Sequence, residues 1–261
     1  MIVLGFDTAT QATVVGLRLP DGDALQARDD PAPEAHPGHA TRLLAMAGEL
    51  LAQAGVGWSA LERIAVGVGP GRFTGLRVGI ATGRGLAQSL DVELTGVSSL
   101  QALALPAASR EPDRAILAVI DARRGEVFAG AYPPSVDFAR ERRAGEPLRG
   151  EIELPRALAA AQLPGIVEEL ERCGAAPGQR WLAVGDGAVL FAAELERAGV
   201  EVAAQGAGLH AIDALAICRL GAGAAPAPAP AMAAQVLPDY RRAPDAALAR
   251  ERTPALGGAA P

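Results

Sequence analysis

The chain has 261 residues, half of them hydrophobic but only 3% aromatic, and a formal net charge of −6. That length buries a real core in one large or two small domains, and the acidic balance argues against a stand-alone nucleic-acid binder while leaving RNA contact within a complex open. All 24 basic residues are Arg, with no Lys and no Asn anywhere, which excludes P-loop, Schiff-base and pyridoxal-phosphate chemistry and N-glycosylation together.

In chain order, Ile2–Phe6 reads as a buried strand, and Thr13–Leu19 and Ala24–Arg28 as two more joined by the Pro20-Asp21-Gly22-Asp23 turn. A helix is predicted from His39 to Ala54, a strand over Ile64–Val68, a helix from a Thr74 cap to Leu90, and a strand over Val92–Val97. A helix capped by Ser98 or Ser99 runs to Leu105. The second half starts again with strands Ala115–Ile120, Glu126–Tyr132 and one near Leu148–Leu154, then helices between Pro155 and Cys173. Strand Trp181–Val184, helix Ala188–Ala198, strand Val200–Ala203 and helix Ala211–Leu220 complete it. Both halves read βββαβαβα.

Cys173 and Cys218 have no metal-ligand spacing and allow at most one bridge. Asp7 arrives too early for a signal peptide, and no apolar run reaches membrane-spanning length. The expected setting is a reducing cytoplasm, without a membrane.

The stretch Gly69-Pro70-Gly71-Arg72-Phe73-Thr74-Gly75-Leu76-Arg77 joins a buried strand to a helix. A glycine-rich turn feeding a helix N-terminus is a ready anion site, but without Lys it is not a P-loop. Within the helix, Gly75, Gly79 and Gly83 recur every four residues. An interior glycine costs about 1 kcal/mol relative to alanine, so the stripe needs a reason. Two are open: close packing on the domain's own sheet, or approach of a helix from another subunit.

The preceding helix carries a stripe of Leu43, Ala47, Leu50, Leu51 and Ala54, broadened by Leu44 and Met46. It is apolar on more than one side, as either internal burial or a subunit contact requires. With Gly75, Leu76, Gly79, Ile80 and Gly83 of the glycine helix, the residues Leu43, Leu44, Ala47, Leu50 and Leu51 form the candidate subunit interface. Isologous pairing of such a two-helix face gives a homodimer, and pairing with a related protein a pseudo-symmetric heterodimer.

Two βββαβαβα halves with a break near residues 106–114 describe the actin-like ATPase (ASKHA) fold of sugar kinases and Hsp70. The expected organisation is an N-terminal half at 1–106 carrying the dimerisation helices and a C-terminal half at 107–220. At 221–261 follow an Ala/Pro linker (Gly221–Pro230), a returning segment (Val236–Arg242) and a tail from Pro244 expected to be disordered. In this fold each half opens with a strand ending in Asp, here Asp7-Thr8-Ala9-Thr10 and Asp121-Ala122-Arg123-Arg124-Gly125, and Gly185-Asp186-Gly187 stands where an adenosine-binding turn is usual.

These motifs, with Gly69–Arg77, Ser98-Ser99-Leu100, Asp121–Val127 and Pro238-Asp239-Tyr240-Arg241-Arg242, fall in an order that resembles the TsaB (YeaZ) family over residues 1 to about 245. The family is a tRNA threonylcarbamoyladenosine biosynthesis subunit related to the glycoproteases. The motif turn of Gly69, Pro70, Gly71, Phe73, Thr74 and Arg77 carries most of the likeness. Arg72 stands where a small Ser is usual, and Arg241 where an apolar residue is usual. The resemblance implies a non-catalytic partner of a TsaD-like subunit, which transfers threonylcarbamoyl to N6 of the adenosine 3′ to the anticodon in ANN-decoding tRNAs. It also implies a TsaE-like ATPase docking on the pair, tRNA contacted through the complex, and a homodimer when the chain is alone. ATP and a metal are expected on the partner subunits, and no cofactor on this one.

The residues give their own test of catalysis. Of the three histidines, His36 and His39 flank Pro37-Gly38, which is incompatible with a helix-borne metal pair, and His210 stands alone. No metal site and no catalytic residue are expected. Asp7, Thr8, Asp121, Gly185, Asp186 and Gly187 outline a vestigial nucleotide cleft. In it the two aspartates either bracket Mg²⁺–phosphate or simply satisfy turn N–H groups. A stand-alone kinase of the same fold is disfavoured by Ala9 and by the bulky second hairpin, and a metallopeptidase by the missing ligands.

Overall fold

A computed structural model of the chain describes residues 1–32, 35–134, 136–138, 150–224 and 236–242. The first sheet contains β1 (Val3–Asp7), β2 (Thr13–Arg18), β3 (Ala24–Asp29), β4 (Arg63–Gly69) and β5 (Glu93–Ser98), in the order β3-β2-β1-β4-β5. The second contains β6 (Ala115–Arg123), β7 (Glu126–Tyr132), β8 (Ile152–Glu153), β9 (Leu158–Ala159), β10 (Trp181–Val184) and β11 (Glu201–Val202). Its order is β11-β10-β6-β7-β8, with β9 also on β7. Each sheet opens with antiparallel hairpin pairs and adds two parallel strands on the other side. The same arrangement twice in one chain is the actin-like ATPase fold.

The central strands explain themselves: β1 is buried throughout and β6 over its first six residues, as expected for apolar runs covered on both faces. Edge strand β3 alternates exposed and half-buried positions. The helices are α1 (His39–Gln53), α2 (Phe73–Leu90), α3 (Ser99–Arg110), α4 (Ile166–Arg172), α5 (Asp186–Leu190), α6 (Ala192–Arg197) and α7 (Ala214–Ala222). Helices α1 and α2 cover one face of the first sheet, where Leu43, Met46, Leu50 and Ile80 meet Leu4, Phe6, Val15 and Val66. The last helix of each half packs on both sheets' common side: α3 lies against β6 and β7, α7 against β1, β2 and β4, and the two touch. A single core therefore runs from Val3, Ala65 and Val97 through Leu103 and Ile217 to Ile116 and Val184.

Several expectations change in detail. Helix α2 starts at Phe73, so Arg72 and not Thr74 occupies the N-cap. Ser98 does cap α3 through its side chain, accepting from Gln101 N, and that helix continues through Pro106 to Arg110. The helix expected over Ala188–Ala198 is two short ones, α5 and α6, parted at Phe191. The last helix begins at an Asp213 cap that accepts from Leu215 N and runs through Gly221 to Ala222, into the expected linker. The buried guanidinium of Arg63 explains that extension, because it donates to the carbonyls of Gly221 (2.8 Å) and Ala224 (2.8 Å) and pairs with Glu93. It thus satisfies the open C-terminal end of α7. Leu148, most of Gly221–Pro230 and everything from Pro244 lie outside the described residues.

Candidate functional site

The Gly69–Arg77 turn sits on the tip of the β1–β2 hairpin. Arg72 N donates to Ala9 O at 2.7 Å, and Thr8 Oγ1 donates to Gly75 O at 2.8 Å. A Cβ added at Gly71 would lie 2.5 Å from Ala9 O, and one at Gly75 would lie 2.0 Å from Thr8 O. Both contacts are far inside van der Waals distance, so the glycines are there to let two backbone turns touch. Farther along α2, a Cβ at Gly79 would meet Thr8 Oγ1 at 2.4 Å, and one at Gly83 would press on Leu94 and Phe6. The stripe faces the chain's own sheet and hairpin.

The outlined nucleotide cleft divides in two. Asp7 is 1% exposed, and its carboxylate accepts from Ala9 N (2.6 Å) and Ser99 Oγ (2.5 Å). Its side chain fills the space that Gly67 leaves empty. Burial pushes its pKa up against these two bonds, which pull it down. Thr8 is equally buried. Asp121 belongs to a separate cluster: its N–H donates to Asp186 Oδ1 (3.0 Å), which also accepts from Gly187 N (2.8 Å). Burial raises the Asp186 carboxyl pKa, with the neighbouring Asp121 charge adding to the rise. Gly187 lies against the end of β6, and Gly185 takes φ +107°, a conformation suited to glycine. The structure thus joins Asp121 with Gly185, Asp186 and Gly187, while Asp7 and Thr8 serve the interior. Of the two readings left open for these aspartates, the contacts fit the turn-satisfying one: Asp7 accepts from Ala9 N and Asp121 from Arg123 N at 2.7 Å.

The histidines also have local tasks. His39, at the start of α1, is buried with Nδ1 2.8 Å from Thr13 Oγ1, and burial together with the Arg72 charge lowers its pKa. His210 sets its ring nitrogens against Gly185 O and Ala203 O at 3.1 and 2.9 Å. Among the described residues no group of three or more His, Cys, Asp or Glu is placed to hold a metal.

The returning segment closes this region. Asp239 N donates to Val68 O at 2.8 Å, and the Tyr240 ring stacks on Phe73 with centroids 4.9 Å apart. Arg77 lies 3.8 Å over the Phe73 ring and donates to the Tyr240 hydroxyl at 3.0 Å. Arg241 pairs with Glu153 and with Asp239 (2.6 Å) and donates to Leu154 O (2.9 Å), while Arg242 reaches Ala122 O and Glu126. The segment ties β4 and α2 of one half to β6, β7 and β8 of the other. Glu153 and Gln11 escaped the sequence reading. The only signal for Glu153 was the Arg at 241, a charge in an apolar position that needs a buried counter-charge.

A family model described as TsaD, tRNA N6-adenosine threonylcarbamoyltransferase, matches residues 32–148. The Escherichia coli tRNA threonylcarbamoyladenosine biosynthesis protein TsaB is 37% identical over 132 residues, covering 51% of this chain and 55% of that one. The Bacillus subtilis protein of the same name is 39% identical over 94 residues, covering 36% and 40%. The chain spans about half the length of the curated relatives it matches. The solved structure of YeaZ from Pseudomonas aeruginosa is 29% identical with a TM-score of 0.63, and the alignment covers 92% of this chain and 99% of that one. The chain is similar to TsaB proteins over about half of its sequence and to YeaZ over nearly all of its fold.

In this chain the candidate interface helices are mostly turned inward. Leu43, Ala47, Leu50, Leu51, Leu76 and Ile80 are all at most 4% exposed, and Gly75, Gly79 and Gly83 are buried beside them. These residues are buried within the chain itself: Leu43, Ala47, Leu50, Leu51 and Ile80 pack with Leu4, Phe6, Val15 and Val66 of the first sheet, and the three glycines lie against Thr8, Phe6 and Leu94. Leu44 alone of the expected set is open, at 46%. Around it the outer side of α1 presents Thr41, Ala45 and Ala52, and neighbouring α2 presents Arg77, Ala81, Gly85 and Ser89. Among the described residues no helix is long and apolar enough to cross a membrane.

Proposed function

We propose that this chain is a pairing subunit, without catalytic residues of its own, in the biosynthesis of threonylcarbamoyladenosine in tRNA. The outer faces of α1 and α2 carry that role. The observation that carries the reading is the exposed Leu44 set among small residues on two adjacent helices, a shape that lets another helix pair approach closely. The names of the relatives support the pathway, and the TsaD description of the matched family model suggests a partner of related fold. In this reading a TsaD-like subunit supplies metal, ATP site and transfer chemistry, a TsaE-like ATPase joins the pair, and tRNA is met through the assembly. The chain alone forms a homodimer through the same face. The engaged carboxylate of Asp7 argues against an independent kinase, whose metal–phosphate group needs a free one.

Co-expression with a tagged TsaD-like partner tests this. Leu44→Asp and Ala81→Arg, each on the outer face, should leave the isolated chain folded and abolish co-elution, since each buries a charge in the contact. Undiminished co-elution of both folded variants would overturn the assignment of this face. Full modification activity of this chain with tRNA in the partner's absence would overturn the non-catalytic role.

A further inference from the structure

A cavity of about 710 Å³ opens at the end of the two sheets opposite the hairpin tips. Met1 and Arg114, which line it, stand just before β1 and β6, whereas Asp7 and Asp121 lie toward the far ends of those strands. Arg18 ends β2, and Pro133 and Pro134 follow β7. The C-terminal parts of α3 and α7 complete the wall, with Leu105 and Ala108 from one and Arg219 and Ala222 from the other. Its volume is that of a small-molecule site, and both halves of the fold contribute to it.

The wall combines apolar surface with positive charge. Leu105, Ala108, Val136, Phe138 and Ala222 are hydrophobic side chains left partly exposed at the edge of the central core. Apolar surface lining a concave space is the usual mark of a groove that something covers. Beside it stand three arginines, Arg18, Arg114 and Arg219, and one carboxylate, Asp137. Arg114 is engaged, donating to Trp181 O and pairing with Glu201, both at 2.9 Å. Asp137 also has a partner of its own. Among the described residues, the guanidiniums of Arg18 and Arg219 have neither an ion pair nor a hydrogen bond. A cation in the last turn of α7 suits the helix dipole, but Arg63 already holds the carbonyls at that end. Arg18, at the end of a strand, has no such duty. A guanidinium is weakly hydrated and matches a carboxylate bidentately.

We propose that this cavity binds a small amphipathic carboxylate. The head group meets Arg18 and Arg219, and the apolar body lies along Leu105, Val136 and Phe138. The site is separate from the cleft at the hairpin tips and independent of the pairing role of α1 and α2. Arg18 belongs to the first sheet, and Val136 and Phe138 follow the second, so the bound molecule bridges the two halves.

Calorimetric titration of the full chain with decanoate, at a fixed ionic strength of about 0.1 M, tests the site. Decanoate should bind and raise the Tm by mass action. Decylamine, with the same apolar body and the opposite charge, should not bind, and butanoate should bind at least about tenfold more weakly for want of apolar area. Arg18→Gln and Arg219→Gln should each weaken decanoate at least about fivefold through the lost charge-assisted contact. Arg18→Lys should keep more of the binding than Arg18→Gln, a ranking that unfolding cannot mimic. Arg197→Ala, outside the cavity on α6, should change nothing. No decanoate binding by the folded chain, equal binding of decylamine or butanoate, undiminished binding by both Gln variants, or equal weakening by Arg197→Ala would each overturn the proposal.

Discussion

Thr8 and Gly75 are locked together: the Thr8 hydroxyl donates to the Gly75 carbonyl across 2.8 Å, and the Thr8 carbonyl occupies the space where a Gly75 side chain would stand. A methyl there would lie 2.0 Å from a backbone oxygen, which cannot swing aside as a side chain can. Gly75→Ala should therefore destabilise the chain by about 3 kcal/mol, at the upper end of ordinary overpacking. Gly85 is the control, on the same helix with no atom within 4 Å of an added Cβ. Gly85→Ala should stabilise the isolated chain by about 1 kcal/mol through helix propensity. Urea unfolding of both variants checks the contrast, and equal effects would refute the inward orientation of the stripe.

Leu43 and Leu44 are neighbours with opposite duties. Leu43 is 1% exposed in the core under α1, whereas Leu44 is 46% exposed. Leu43→Ala should cost the isolated chain about 2–5 kcal/mol, the usual range for a buried leucine. Leu44→Ala should change its stability by less than about 0.5 kcal/mol. Sedimentation measurements should rank them the other way for self-association.

Asp7 sets a pH dependence with a definite sign. Burial raises its folded-state pKa above the ordinary 3.8, so between those two values the folded chain holds a proton that the unfolded chain has released. Stability from this group is complete below the unfolded value and is lost as pH rises through the folded one. The stability difference between wild type and Asp7→Asn should then shift against the wild type as pH climbs from about 4, since the amide does not titrate. Denaturant titrations at a series of pH values measure it. A difference that is flat with pH would show that Asp7 ionises as readily inside as outside.

The two thiols should differ sharply in reactivity. Cys218 is buried on α7, with Sγ 3.7 Å from Val3 O, and burial pushes its pKa up to about 12. Cys173 is exposed at the end of α4. Only the thiolate attacks, so iodoacetamide at neutral pH should label Cys173 in the native chain and reach Cys218 only on unfolding. Mass spectrometry of the digested protein reads this directly.

Most of the strand and helix order, the two-half repeat and the position of the glycine turn were legible in the residues, because periodicity and turn chemistry are local properties; the two-residue strand β9, which stands where only helices were expected, was not, because its pairing with β7 is a contact between distant segments. The direction in which a face points is not local. The spacing of Gly75, Gly79 and Gly83 shows that they share a side of α2, but only the placement of β1 and its hairpin shows that this side is occupied. The same holds for Asp7: a strand-end aspartate has one local N–H, from Ala9, and its second partner, Ser99, is 92 residues away. Arg241 looked like an unsupported charge until the fold brought Glu153 to it across 88 residues. What the sequence by itself determined was the longer elements and their order. What only the tertiary structure decided was which polar groups are already satisfied within the chain, since a hydrogen bond or ion pair between distant segments depends on chain closure that no local pattern records.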